Sequence, residues 1–188
     1  MTIHTFGDSH CMFGWSDNVI KHYLGPVLCY SFGMKKIFNI NNFDIKPGDT
    51  VVYCLGEIDC RCHIKKHVTE SRSFQNVIDD IINKYIEHIK TNILDNVQTC
   101  IYNVVPPVQK HNSFENISYP FVGTDEERKQ YVLYFNTMLK EKCLENNFIF
   151  FDIYDKYLDN EGFLSKDKSI DDVHILNGIF IEEFIRKI

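Results

Sequence analysis

"TFGDSHC", residues 5–11, ends an apolar start with a glycine, a carboxylate, a hydroxyl and an imidazole in succession. Gly and Asp alone suffice for a polar turn. The stretch therefore has two readings: a turn and nothing more, or a serine, Ser9, presented at the end of a strand. Ser9 is a nucleophile only if the rest of the chain supplies a base, an acid to orient it and donors for an oxyanion. Residues 2–6 before it read as a short strand closed by Gly7, and the fold follows from what resembles that strand elsewhere.

Three further apolar runs do. "DTVVYCLGEID" (49–59) holds a buried strand over 50–55, introduced by the turn Lys46-Pro47-Gly48-Asp49. "QTCIYNVVPP" (98–107) holds one over 98–105, stopped by Pro106 and Pro107, and "NFIFFDIYD" (147–155) holds one over 148–153. Each run is continuously apolar rather than alternating, as parallel strands covered on both faces require. Helical stretches separate them. Phe74, Val77, Ile78, Ile81, Ile82, Tyr85, Ile86 and Ile89 follow the i, i+3, i+4, i+7 rule, a core-packing stripe. Thr124 and Glu127 form a capping box for a second helix carrying Tyr131, Tyr134, Phe135, Met138 and Leu139 on its buried side. A last helix is expected from about Ile175 to Ile188. Strands alternating with helices predict a three-layer α/β/α sandwich with right-handed crossovers, whose ligand site lies beyond the carboxyl ends of the strands. Ser9, Glu57 and Pro106 each follow a strand end and should share that rim.

The bulk numbers narrow the function classes. A chain of 188 residues with 44% hydrophobic content suits one compact domain spanning 1–188, without repeats or long linkers. A formal charge of −6 and the lack of a long basic run weigh against nucleic acid or an anionic membrane surface as the partner. No apolar stretch has the roughly 20 residues of a membrane span, and the first ten residues lack a signal-peptide pattern, so a cytoplasmic location is expected. The seven cysteines read mostly as small buried hydrophobes. Cys60, Cys62, His63 and His67 lack the spacing of the common zinc modules, and no metal is expected.

The far end of the chain supplies candidate partners for Ser9. In "SIDDVHIL" (169–176), Asp171 and His174 are three residues apart, so the carboxylate can meet one ring nitrogen while the other points outward. Taken alone, the motif reads more readily as a helix cap, Asp171 or Asp172, followed by a surface histidine.

A Gly-Asp-Ser directly after the first strand, together with Asp-x-x-His before the last helix, resembles the SGNH hydrolase superfamily, the GDSL-type esterases. The likeness extends over nearly the whole chain, and "GFLSKDKSIDDVHI" (162–175) is similar to the stretch before the catalytic histidine of those enzymes. The resemblance implies a flavodoxin-like sheet of five parallel strands, with Ser9 as nucleophile, His174 as base and Asp171 as its orienter. It also implies that Asp8 holds the Ser9 turn through hydrogen bonds.

The middle blocks match less closely. The family's second-block glycine, a backbone donor to the oxyanion, is Gly25 or Gly33 in "HYLGPVLCYSFG" (22–33), with Gly25 preferred. The third block, normally Gly-x-Asn-Asp, here reads Gly56-Glu57-Ile58-Asp59, so isoleucine stands where the asparagine donor belongs. Losing such a donor costs about 10²- to 10³-fold when nothing replaces it. Three outcomes are open. Arg61 swings in as a cationic fork, the backbone of Ser9 and Gly25 suffices, or the site is inefficient. "GEIDCR" (56–61) reads either as a structural ion pair of Glu57 or Asp59 with Arg61, or as a polar pocket for a hydroxylated substrate. His10, after the serine, is expected to play a structural role under the loop. Trp15 and Asn103 are placed near the cleft by position alone.

The function expected is a serine esterase that hydrolyses a short acyl ester, such as an O-acetylated sugar or glycan, through an acyl-enzyme on Ser9 and without cofactor. An O-acyltransferase with the same triad and a non-catalytic carbohydrate-binding domain are the alternatives.

Overall fold

In the computed structural model the residues described are 1–36, 38–110, 117–171, 173–176 and 178–187. Five strands form one sheet: β1 (Ile3–Gly7), β2 (Val19–Tyr23), β3 (Thr50–Cys54), β4 (Gln98–Tyr102) and β5 (Ile149–Phe151). Their order is β2-β1-β3-β4-β5, and every pairing is parallel. Between and after them lie α1 (Cys29–Lys35), α2 (Ile64–His67), α3 (Phe74–Lys90), α4 (Asp125–Glu145) and α5 (Ile179–Ile185). The α/β architecture expected from the alternation is thus the one observed.

Side-chain alternation along the sheet divides the core in two. Phe6, Val51, Tyr53 and Ile101 face the layer of α1, α3 and α4, where the stripe Val77, Ile78, Ile81, Ile82, Tyr85, Ile86 and Ile89 is buried. Val52, Cys54, Cys100, Tyr102 and Phe151 face the other layer, against Trp15, Phe121 and Ile181 of α5. A strand covered on both faces has no polar side to show, which is why β1 and β3 are buried at all five positions. Both long helices open with capping boxes, Ser73 with Asn76 and Thr124 with Glu127.

Strands β4 and β5 end at Tyr102 and Phe151, short of the expected 105 and 153, where Asn103 N–H donates to the Phe151 carbonyl at the last rung of their pairing, and two further elements differ from the sequence expectation. The strand at 19–23 carries no apolar run because it is the edge of the sheet. Ile20 and Tyr23 stay exposed, so "VIKHY" needs little hydrophobicity. The last helix starts at Ile179 rather than near Ile175, and residue 188 lies outside the described residues. Residues 169–176 instead fold back on themselves, with Ile170 N–H donating to the His174 carbonyl (2.9 Å) and Leu176 N–H to that of Lys168 (2.8 Å). His174 therefore sits on a loop at the rim, not on a helix.

Gly7 closes β1 in register with Tyr23 and Cys54. A Cβ at Gly7 would lie 1.9 Å from the Cys54 carbonyl oxygen, so only glycine lets the chain leave the sheet here. That exit delivers Ser9 to the carboxyl rim. Among the described residues, no helix is long and apolar enough to cross a membrane.

Candidate active site

The turn after β1 is fixed before any partner arrives. Asp8, fully buried, accepts a hydrogen bond from the His10 backbone N–H (2.9 Å) and caps the short 3₁₀ turn Ser9–Cys11. The Trp15 indole N–H donates to the His10 carbonyl (3.0 Å), and Thr5 Oγ1 donates to that of Cys11 (2.8 Å). Ser9 is thus held at the rim by neighbours on both sides.

The loop after β5 brings His174 to it. His174 Nε2 lies 2.6 Å from Ser9 Oγ, and His174 Nδ1 lies 2.7 Å from Asp171 Oδ2. Asp171 Oδ1 accepts the backbone N–H groups of His174 (2.8 Å) and Val173 (3.1 Å), so the Asp-x-x-His turn is closed by its own carboxylate. This local closure is why a three-residue spacing works. Asp172, the other possible cap, lies outside the described residues.

Electrostatics agree with the geometry. Burial lowers the His174 imidazole below its ordinary value, and the nearby His10 adds to that effect, overcoming the pull of Asp171. Burial alone would raise the Asp171 carboxyl, but hydrogen bonds from the His174 ring and backbone outweigh it and hold Asp171 below the usual carboxylate range. A neutral imidazole between an ionised carboxylate and a hydroxyl can accept the hydroxyl proton.

Ser9, Asp171 and His174 open into a cleft of about 540 Å³, walled by Tyr23, Pro26, Ile58, Arg61, Tyr119, Phe121 and Val173. Each comes from the carboxyl end of a strand or the loop beyond it, as open α/β sheets dictate. The Phe121 ring packs against two guanidinium groups, 5.4 Å from that of Arg61 and 5.0 Å from that of Arg128. The aromatic wall was not legible in sequence, since Tyr23, Tyr119 and Phe121 sit in no motif and share no periodicity.

The third-block residues separate. Arg61 is clamped: its Nε and Nη2 donate to the two Glu57 oxygens (2.6 and 3.0 Å), and its Nη1 donates to the Tyr119 carbonyl (2.7 Å). Burial would raise the Glu57 carboxyl, yet Arg61 outweighs it and holds Glu57 low. This is the structural ion pair, formed with Glu57 rather than Asp59. Asp59 turns away from the cleft and accepts the N–H groups of Cys29 (2.6 Å) and Tyr30 (3.2 Å), joining the third block to the start of α1. Burial pushes its carboxyl up to about 7 against those bonds. The three therefore do not form one polar pocket, and of them only Arg61 lines the cleft.

The glycines also sort. Gly33 lies inside α1, where a Cβ would meet the Lys84 and Tyr85 backbone of α3 at 2.6–2.8 Å. It is a helix-packing glycine remote from the rim. Gly25 follows β2 with φ +87° and open space around it, next to the cleft residue Pro26. Gly56 turns the chain off β3 at φ +118°, where a Cβ would strike Val104 and Phe135. Ile58 faces the cleft with carbon alone. Asn103 is buried behind the rim, accepting from Ile153 N–H (2.9 Å) and donating to the Val104 carbonyl (2.9 Å). Trp15 is likewise buried, so neither lines the cleft. Cys60 and Cys62 are buried thiols whose ionisation burial opposes.

No family model matches the chain, and no curated protein matches it in sequence. Solved structures do match it in fold. A GDSL-like lipase from Bacteroides thetaiotaomicron superposes with a TM-score of 0.65 at 15% identity, over 99% of this chain and 86% of that one. A candidate acylhydrolase from Bacteroides fragilis gives 0.65 at 18% identity, over 99% and 85%. An acetylxylan esterase from Geobacillus stearothermophilus, solved as a catalytic mutant, gives 0.61 at 10% identity, over 99% and 92%. With a five-stranded parallel sheet matched over nearly its full length, this chain shares the α/β fold of these GDSL-like lipase, acylhydrolase and esterase structures.

Proposed function

We propose that the protein is a serine esterase that hydrolyses a short acyl ester carried on a sugar or other hydroxylated molecule. The observation that carries this reading is the hydrogen-bonded chain Ser9–His174–Asp171, opening into the cleft. In the proposed cycle His174 Nε2 takes the Ser9 proton as Oγ attacks the ester carbonyl carbon. The tetrahedral intermediate collapses, the C–O ester bond breaks, and His174 returns the proton to the leaving alkoxide. Water then attacks the acyl-Ser9 carbonyl, its proton passes to His174 and on to Ser9 Oγ, and the carboxylic acid leaves.

The backbone N–H groups of Ser9 and Gly25 are the oxyanion donors in this reading, with Ile58 contributing none. Arg61 engages three of its five N–H donors with Glu57 and Tyr119. Its role is to hold the Tyr119–Phe121 wall and present the remaining donors to substrate. A sugar as the alcohol part of the ester is supported by the Tyr23, Tyr119 and Phe121 surfaces, since aromatic faces suit the apolar faces of pyranose rings. The acetylxylan esterase among the structural neighbours points the same way.

The test is the intact mass of the protein after exposure to a fluorophosphonate, with Ser9→Ala and His174→Ala alongside. One adduct that requires both residues is the expected result. An unmodified wild-type protein, with a small probe such as diisopropyl fluorophosphate as well, would refute the hydrolase.

A further inference from the structure

Behind the Ser9–His174–Asp171 chain lies a second carboxylate–imidazole pair. His10 Nδ1 is 3.0 Å from Asp8 Oδ1, and both side chains are buried, His10 at 6% exposure and Asp8 at 0%. The His10 ring packs on His174 with centroids 4.7 Å apart and planes inclined by 42°, while Phe13 covers His174 at 4.3 Å. Its Nε2 has no hydrogen-bond partner among the described residues. The same Asp8 Oδ1 that caps the turn through the His10 backbone N–H also faces the His10 ring, so the buried carboxylate meets the imidazole directly.

We propose that the buried Asp8–His10 pair is a positioning element for the base: the cationic ring of His10, packed against His174, keeps that imidazole in its neutral, proton-accepting form. The proposal rests on the esterase reading for its consequence in catalysis, though not for the contact itself. The charged and titratable groups around the two rings are few. His10 faces Asp8 on its own turn, Glu57 and Arg61 from the loop after β3, and His174 from the loop after β5. His174 faces Asp171, His10 and Glu57, with Ser9 Oγ at its Nε2. Arg61 works against a charge on His10, but Glu57 holds that guanidinium and offsets it. Burial would lower the His10 imidazole, but Asp8 together with Glu57 outweighs it and raises it, whereas His174 is lowered. Two imidazoles in contact are thereby driven apart in charge, His10 upward by its carboxylate and His174 downward by burial and by His10, against the pull of Asp171.

The expected advantage is a base that stays unprotonated in mildly acidic conditions, with His10 acting through His174 rather than on substrate. Replacing His10 by Asn keeps a polar partner for Asp8 without the charge, and replacing it by Phe keeps the ring. Losing a unit charge at 4.7 Å should raise the His174 titration by at least about 0.5 pH unit, even with water-like screening.

The experiment is ¹⁵N NMR titration of the imidazoles in the wild-type protein, in His10→Asn and in His10→Phe, with the pH dependence of fluorophosphonate labelling beside it. Wild-type protein should show His10 protonated across the range in which His174 loses its proton, and both variants should move the His174 midpoint and the acid limb of labelling upward together. A neutral His10 in that range overturns the proposal without needing any variant to fold. So does an unmoved His174 midpoint in a folded variant, which would leave packing as the role of His10. Absence of labelling at every pH would sink the esterase reading, while the NMR midpoints would still decide the coupling.

Discussion

Replacing Asp171 by Asn removes a charge while leaving almost everything else in place. The amide oxygen can still accept the backbone N–H groups of Val173 and His174, so the loop should hold its shape. What disappears is the carboxylate 2.7 Å from His174 Nδ1. The Asp171 side chain is 49% exposed, so an effective dielectric constant of about 40, between surface-protein and bulk-water values, is appropriate. Coulomb's law over that distance then gives about 3 kcal/mol of attraction for the imidazolium that forms as Ser9 attacks. At 1.36 kcal/mol per decade, Asp171→Asn should lower kcat about 10²-fold. That is less than the roughly 10⁴-fold known for a buried triad acid. KM should change little, because the imidazolium exists only beyond the ground state. The assay is hydrolysis of p-nitrophenyl acetate under saturating conditions, with circular dichroism to confirm the fold. If Asp171→Asn kept kcat within threefold of wild type while Ser9→Ala abolished it, the carboxylate would have no part in activating the base.

Two further outcomes test the loop after β3. Glu57 and Arg61 are each only 12% exposed, so Arg61→Met should strand a buried carboxylate and cost about 3 kcal/mol in urea unfolding, while the double variant Glu57→Gln/Arg61→Met should recover more than half of it; a single-variant cost below about 1 kcal/mol would mean the pair is not the clamp described. The Asp59 carboxyl is raised to about 7 in the folded protein, so its contribution is fully present below its unfolded value near 4 and is lost as pH rises through about 7; stability should fall from about pH 4 to 7 and level off above that, Asp59→Asn should flatten the fall, and parallel curves for the two proteins would refute the assignment.

Much of the fold was legible before any coordinates. The apolar runs read as strands over 50–55 and 98–105 hold covered strands that end at Cys54 and Tyr102, and the eight-residue stripe of α3 could only face a core. Both are patterns that a few adjacent side chains carry by themselves. The edge strand β2 escaped because an edge is only half buried, so its residues need no apolar signature. The expected helix start near Ile175 falls in a turn instead, because the bonds that close it on Asp171 hold residues 173–176 in a loop, and α5 begins at Ile179.

The sequence by itself determined the chemistry on offer: Gly7 where the chain must leave the sheet, a hydroxyl two residues later, and an Asp-x-x-His turn at the other end. Those are short-range facts, set by backbone sterics and by a carboxylate reaching three residues along its own chain. Only the tertiary structure decided which groups meet. It brought Ser9 to within 2.6 Å of His174 across 165 residues and locked Arg61 on Glu57 rather than leaving it free. It turned Asp59 to the start of α1 and laid the Asp8–His10 pair against the base. Such pairings depend on how two layers settle on a parallel sheet, and many residue types tolerate the same local turn. Their identity becomes visible only when burial makes an unpaired charge too costly to leave alone.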